Sequence, residues 1–260
     1  MTAPVAFEAL SVTLGRRAVL HGVTATLGPG VTAVCGANGS GKTTLLRAAM
    51  GLLKPSAGRA LLSGEDASAL APAERARRAG YLPQERRVAW GVPAIRIAAL
   101  GAPEQPLPVA EARGLAALEE VGLGGLADRG AFEMSGGERA RVLLARLFAT
   151  GAPTLVLDEP AAGLDPDAQL LVMDLLKVRA ERGSTVVVTL HDLALAARYA
   201  DRVLVLHGGQ LVADGPPMQA LSTQVLAQAF GLDGAWSETP CGPVLSARRL
   251  AQRPPEPTTV

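Results

Sequence analysis

Residues 36–43 read GANGSGKT, that is Gly36, Ala37, Asn38, Gly39, Ser40, Gly41, Lys42 and Thr43, with Thr44 directly after. Glycines 36, 39 and 41 let the backbone turn so that successive N–H groups converge on one point. Such a nest of amides opening into a helix N-terminus binds phosphate oxygens. Lys42 adds positive charge at the β- and γ-phosphates of a nucleotide, the Thr43 hydroxyl suits Mg²⁺, and Thr44 is a further phosphate contact. Lysine is scarce, with only Lys42, Lys54 and Lys177 in the chain, so a lysine closing this run is not a product of lysine abundance. Before the run, the turn Gly28-Pro29-Gly30 leads into an apolar stretch, 31–35, that reads as a short buried strand. After it, Leu45, Leu46, Ala49 and Met50 recur at helical spacing until Gly51 and Pro55. Strand, loop and helix are the context a phosphate loop requires.

Further out, residues 5–14 and the alternation Val23, Ala25, Leu27 read as two strands joined through a turn at Gly15, an antiparallel edge. Strands are expected at 59–62, 154–157, 185–190 and 202–206, with helices at 168–182 and 193–199 between them. That alternation predicts an α/β fold with a mostly parallel core sheet. Between Gln84 and Gly151 the composition turns to Ala, Leu, Glu and Arg, interrupted by a Pro-rich loop at 102–108. A mostly helical lobe, about 85–150, is therefore expected as an insertion in one domain spanning 1–235. Residues 236–260 are expected to be a C-terminal tail, frayed at its Pro-rich end from Arg253.

The 260 residues, 48% of them hydrophobic, supply one large core, and a formal charge of +1 gives no basic field for nucleic acid or an anionic membrane. No apolar run approaches the ~20 residues a spanning helix needs, so a soluble chain that meets the membrane through a protein partner is expected. Of the two cysteines, Cys35 and Cys241, the first stands at the mouth of the phosphate loop, where a disulfide would obstruct it. A reducing cytosol fits best.

Two further stretches carry chemistry. Thr154-Leu-Val-Leu-Asp158-Glu159-Pro160 is an apolar strand ending in adjacent carboxylates, and alternation along the strand gives them different jobs. Asp158 suits holding Mg²⁺ through water, and Glu159 suits accepting a proton from attacking water. Taken alone, the pair is equally a solvated strand-end turn. Met134-Ser135-Gly136-Gly137-Glu138-Arg139 precedes the helical pattern Val142, Leu143, Leu144, Leu147. Ser135 is placed to cap that helix, with Gly136 and Gly137 leaving the first amides open to an anion or simply starting a helix. One chain thus offers two phosphate-type sites although one nucleotide has one polyphosphate.

These motifs in this order resemble the nucleotide-binding subunit of ATP-binding cassette (ABC) transporters, over about residues 5–232. The resemblance implies a P-loop NTPase fold, ATP and Mg²⁺ as ligands, and a two-site dimer in which Ser135, Gly136 and Gly137 act in trans. It further implies that Gln84 reaches Mg²⁺ and the attacking water, that Asp165 links the two sites, and that His191 is the switch histidine. Glu159, His191, Gln84 and Lys42 are then the catalytic set, and Thr43, Gln84 and Asp158 the metal set. His21 and His207 have no such context and read as surface or turn residues. The stretches 191–203 and 212–217 are similar to bacterial importers of iron-siderophore, haem or cobalamin. That implies integral membrane permease subunits, a periplasmic or surface solute-binding protein acting indirectly, and residence on the cytoplasmic face of the inner membrane. The permease contact is expected at 85–100, where Val88, Trp90, Val92 and Ile95 are either contact residues or lobe core.

Two positions depart from the family. Glu138 stands where many members have glutamine. The N-terminal turn, Val12-Thr-Leu14-Gly-Arg-Arg17, lacks the aromatic that often stacks on adenine, so Leu14 or Arg16 is expected to cover the base with weak discrimination. A soluble ABC protein clamping nucleic acid is the main alternative, disfavoured by the single cassette, the absence of a cysteine cluster and the near-zero charge. A kinase or GTPase switch shares the phosphate loop but has no reason to carry the Ser-Gly-Gly stretch.

Overall fold

The computed structural model describes residues 3–85 and 91–250. Strands in chain order are β1 (Val5–Leu14), β2 (Arg17–Leu27), β3 (Gly30–Cys35), β4 (Ala57–Leu62), β5 (Glu65–Asp66), β6 (Ala79–Leu82), β7 (Thr154–Asp158), β8 (Thr185–Thr189), β9 (Arg202–His207), β10 (Gln210–Gly215), β11 (Leu232–Thr239) and β12 (Gly242–Arg249). The principal helices are α1 (Lys42–Ala49), α2 (Pro72–Arg78), α3 (Ala94–Ala99), α4 (Leu107–Glu120), α5 (Gly136–Ala149), α6 (Pro166–Glu181) and α7 (Leu193–Tyr199).

The central sheet runs β10-β9-β3-β8-β7-β6, parallel except for β10 at its edge. Its inner strands are continuous apolar runs because both faces are covered. Alternation divides them: Val31, Ala33, Cys35, Leu155, Leu157, Val186 and Val188 face α5, α6 and α7. Val34, Val156, Val187, Leu204 and Leu206 face α1 and the second sheet, which supplies Val5, Phe7, Leu10 and Leu27. That second sheet is antiparallel, in the order β2-β1-β4-β5.

Residues 59–62, expected among the parallel strands, therefore lie in β4 of the antiparallel sheet, where Phe7 pairs with Ala60. The edge strands β6 and β10 were not anticipated. Pro108, assigned to the loop, sits in the first turn of α4, where a missing N–H costs nothing. The expected boundary at 235 falls inside β11, and much of the expected tail is a hairpin: β11 pairs with β12, Leu245 opposite Trp236. Trp236 and Leu245 pack on the main core, and the Trp236 indole N–H donates to the Leu221 carbonyl at 2.8 Å. Val92 and Ile95 also pack on that core, so they belong to the lobe interior, while Val88 and Trp90 lie outside the described residues.

Candidate nucleotide site

Register aligns the carboxyl ends of four neighbouring strands. Val34 of β3 pairs with Thr189 of β8, Asp158 of β7 pairs with the same threonine, and Leu82 of β6 pairs with Leu157. The residues that follow these ends, 36–43, His191, Glu159 and Gln84, must then emerge along one edge, where open α/β sheets bind ligands.

The loop is held by close packing. Gly36 has φ 151°, and a Cβ there would fall 2.3 Å from the Leu206 carbonyl oxygen. Gly41 has φ 105°, and its Cβ would fall 2.6 Å from a Leu20 methyl of β2. Gly41 also leads α1, whose first amides face the loop. The Lys42 ammonium is buried and donates to the carbonyls of Gly36 at 2.8 Å and Ala37 at 3.3 Å. Burial holds its pKa below the ordinary lysine value, opposed by the charge of Glu159.

Thr189 ties the two acids to β8. Its hydroxyl donates to Asp158 Oδ1 at 2.7 Å and accepts the Glu159 backbone N–H at 2.7 Å. Glu159 has φ 52°, a conformation costly for a non-glycine residue and characteristic of functional sites. Its carboxylate is bracketed: Gln84 Nε2 donates to Oε2 at 2.9 Å, and His191 Nε2 lies 2.5 Å from Oε1. A cleft of about 470 Å³ brings Asn38, Gly39, Gly41, Lys42, Thr43, Thr44, Gln84, Glu159 and His191 together with Arg17 and Val19. Ala37 faces a neighbouring cleft with Asn38 and His191.

Ser135, Gly136, Gly137 and Asp165 do not line this cleft. Ser135 is exposed and caps α5, its hydroxyl accepting the Glu138 N–H at 3.1 Å while Glu138 accepts the Ser135 N–H at 2.7 Å. This reciprocal capping box gives the glutamate at the departing position a structural task. Asp165 is exposed and caps α6 through the Ala168 N–H at 2.9 Å. The two helix starts adjoin, since a Cβ on Gly137 would lie 3.1 Å from that of Ala168. Sequence reasoning missed Thr189, whose only signal was its place opposite Asp158, and Arg17.

A glycine-rich phosphate loop at the end of the central strand β3, with a braced acid pair beside it and a second capped helix start outside its cleft, defines a P-loop nucleotide hydrolase. The model of the ABC transporter family matches residues 20–162. The chain belongs to the ABC transporter family, as an ATP-binding cassette with ATPase activity. Hemin import ATP-binding protein HmuV of Roseobacter denitrificans is 42% identical over 231 residues, 85% of this chain and 88% of its own length. Among solved structures, a metal-chelate type ABC transporter in an inward-facing conformation shares the fold, with TM-score 0.83 at 24% identity over 97% of this chain and 99% of that one. A dimeric bacterial ABC transporter cassette matches with TM-score 0.73 at 25% identity over 82% and 98%.

Proposed function

We propose that two copies of this chain close head to tail around two Mg-ATP molecules, and that the cycle energises bacterial import of a metal chelate of the iron-siderophore, haem or cobalamin kind. Hemin is the first solute to test, from the name of the relative. The observation that carries the chemistry is the Glu159 carboxylate held between Gln84 and His191 in the cleft of the phosphate loop. The ligand donors suit a hard cation: Asp158 Oδ2 is buried with no hydrogen-bond partner among the described residues, and Thr43 and Gln84 add oxygens. Thr43, Gln84 and Asp158 would hold Mg²⁺, which when bound neutralises charge on the β- and γ-oxygens.

With triphosphate in the loop, Lys42 exchanges the carbonyls of Gly36 and Ala37 for phosphate oxygens. Glu159 accepts the proton of the attacking water, Gln84 orients that water, and His191 stabilises charge on the γ-phosphoryl group. Ser135 and the amides of Gly136 and Gly137 reach the γ-phosphate of the other copy, a reading supported by the exposure of Ser135 and Gly136 and by the absence of all three from the lining of their own cleft. Asp165, next to that helix start, links the two sites. The permease is proposed to dock in a groove of about 330 Å³ between core and lobe, lined by Leu52, Arg75, Tyr81, Leu100 and Arg146, with the chain on the cytoplasmic face of the inner membrane. Among the described residues no helix is long and apolar enough to cross a membrane itself.

The test is uptake of hemin, a ferric siderophore and cobalamin into vesicles holding the chain with its permease. ATP-dependent accumulation of one of them, lost in Glu159→Gln, is expected. Accumulation of none while ATP is still hydrolysed would sink the importer reading.

A further inference from the structure

Beside the cleft of the phosphate loop lies a second cleft, of about 550 Å³, and the two share Asn38 and His191. One side of it is made by Gly36, Ala37, Asn38, His191 and Asp192, and the other by Phe230, Leu232 and Leu245. Leu245 lies in the stretch expected to be a tail, and Phe230 and Leu232 lead into it. The structure holds this wall in place. β12 packs on α7, which starts two residues after His191. The base of the hairpin is closed by the Leu250 N–H, which donates to the Gly231 carbonyl at 2.8 Å. Pairing and alternation put Leu232, Trp236 and Leu245 on the inner face, whereas Val244 faces out and is 47% exposed. Phe230, Leu232 and Leu245 are half-buried, packed on the core and still lining the cleft.

A stable dimer covers roughly 800 Å² on each partner, a patch roughly 30 Å across. Ser135 of a second copy must reach a γ-phosphate lying at Glu159 and His191, and His191 is also on the rim of the 550 Å³ cleft. A patch of that size therefore runs on over the hairpin wall. The groove assigned to the permease has no residue in common with this cleft, so the two surfaces take different partners. We propose that the β11–β12 hairpin belongs to the dimer interface, and that Phe230, Leu232 and Leu245 are covered by a second copy of this chain when two copies close around ATP. Their burial adds an apolar contact beside the polar ones made through the nucleotide. The proposal rests on the head-to-tail reading.

The experiment is hydroxyl-radical footprinting of the full chain carrying Glu159→Gln with Mg-ATP, read by mass spectrometry, with sedimentation giving the fraction of dimer. Oxidation of Phe230, Leu232 and Leu245 is expected to fall by about 3-fold or more where dimers form, and to recover when the ATP-loaded chain is diluted to monomer. Leu232→Asp is expected to raise the dimer dissociation constant by about 10-fold or more, with ATP affinity at monomer dilution unchanged. Val244→Asp, on the outer face, dimerises as the parent. Protection that persists in the diluted monomer would come from the nucleotide or from closure within one chain, and would overturn the proposal. So would dimers that leave the three residues as accessible as before, or that form equally well with Leu232→Asp. Failure of the head-to-tail reading shows separately, as ATP-loaded chains that stay monomeric at every concentration.

Discussion

Thr189 supports both acids of the site through one hydroxyl, donating to Asp158 and accepting from the Glu159 N–H. Thr189→Val keeps the volume and removes the hydroxyl that a buried carboxylate oxygen and a buried N–H both bond, a loss of roughly 1–3 kcal/mol in denaturant unfolding. Hydrolysis should fall with it, and Thr189→Ser should restore both. Glu159→Gln is expected to retain ATP while slowing turnover by about 10²-fold or more, read in a phosphate-release assay. Near-normal turnover would remove Glu159 as the base. Cys35 is fully buried, and its thiol pKa is pushed up to about 12, chiefly by desolvation. It should resist alkylation in the native protein while exposed Cys241 reacts, giving one label by mass spectrometry and two after unfolding. Because the folded pKa lies above the ordinary value of 9.0, the unfolded chain loses this proton first, and stability falls as pH rises past that value.

At the scale of the element, α5 is started by a box that needs both Ser135 and Glu138. Glu138→Ala should lower stability by about 0.5–2 kcal/mol, with ATP binding to the single chain unchanged. Hydrogen bonding to the Ser135 N–H holds the Glu138 carboxyl below its usual pKa. Its stabilisation is therefore complete above the unfolded pKa and lost as pH falls through the folded one. Glu138→Gln should show a weaker acid dependence of its thermal midpoint, and an identical profile would count against the carboxylate's role. The β11–β12 hairpin depends on a few inward contacts, among them Trp236 and Leu245. Trp236→Ala should make residues 232–249 the earliest site of limited proteolysis, while the sheet carrying the phosphate loop stays intact.

For the whole molecule, the separation of Ser135 from its own cleft predicts activity only between copies. Lys42→Ala and Ser135→Ala chains should each be nearly inactive alone. Mixed, they form heterodimers in which one site pairs an intact loop with an intact Ser135, so activity returns to about a quarter of the wild-type level. No recovery on mixing, with dimers present, would place both elements in one site. Much of this was legible in the sequence. Glycine's access to positive φ, the cap chemistry of Ser135, and the apolar runs of β3, β7 and β8 act over a few neighbouring residues, so the loop, the acid pair and α5 could be read directly. The tertiary structure decided what meets across long separations: Gln84 with Glu159, 75 positions apart, Thr189 with both acids, and Arg17 rather than Arg16 facing the loop. It also drew β4 into the antiparallel sheet, gave the short strand β6 its partner in β7, and folded residues 232–249 back onto the core. Local rules select which elements form. Their pairing depends on which sheet edges and apolar faces are left to cover once the chain has closed on itself, and no stretch of sequence carries that alone.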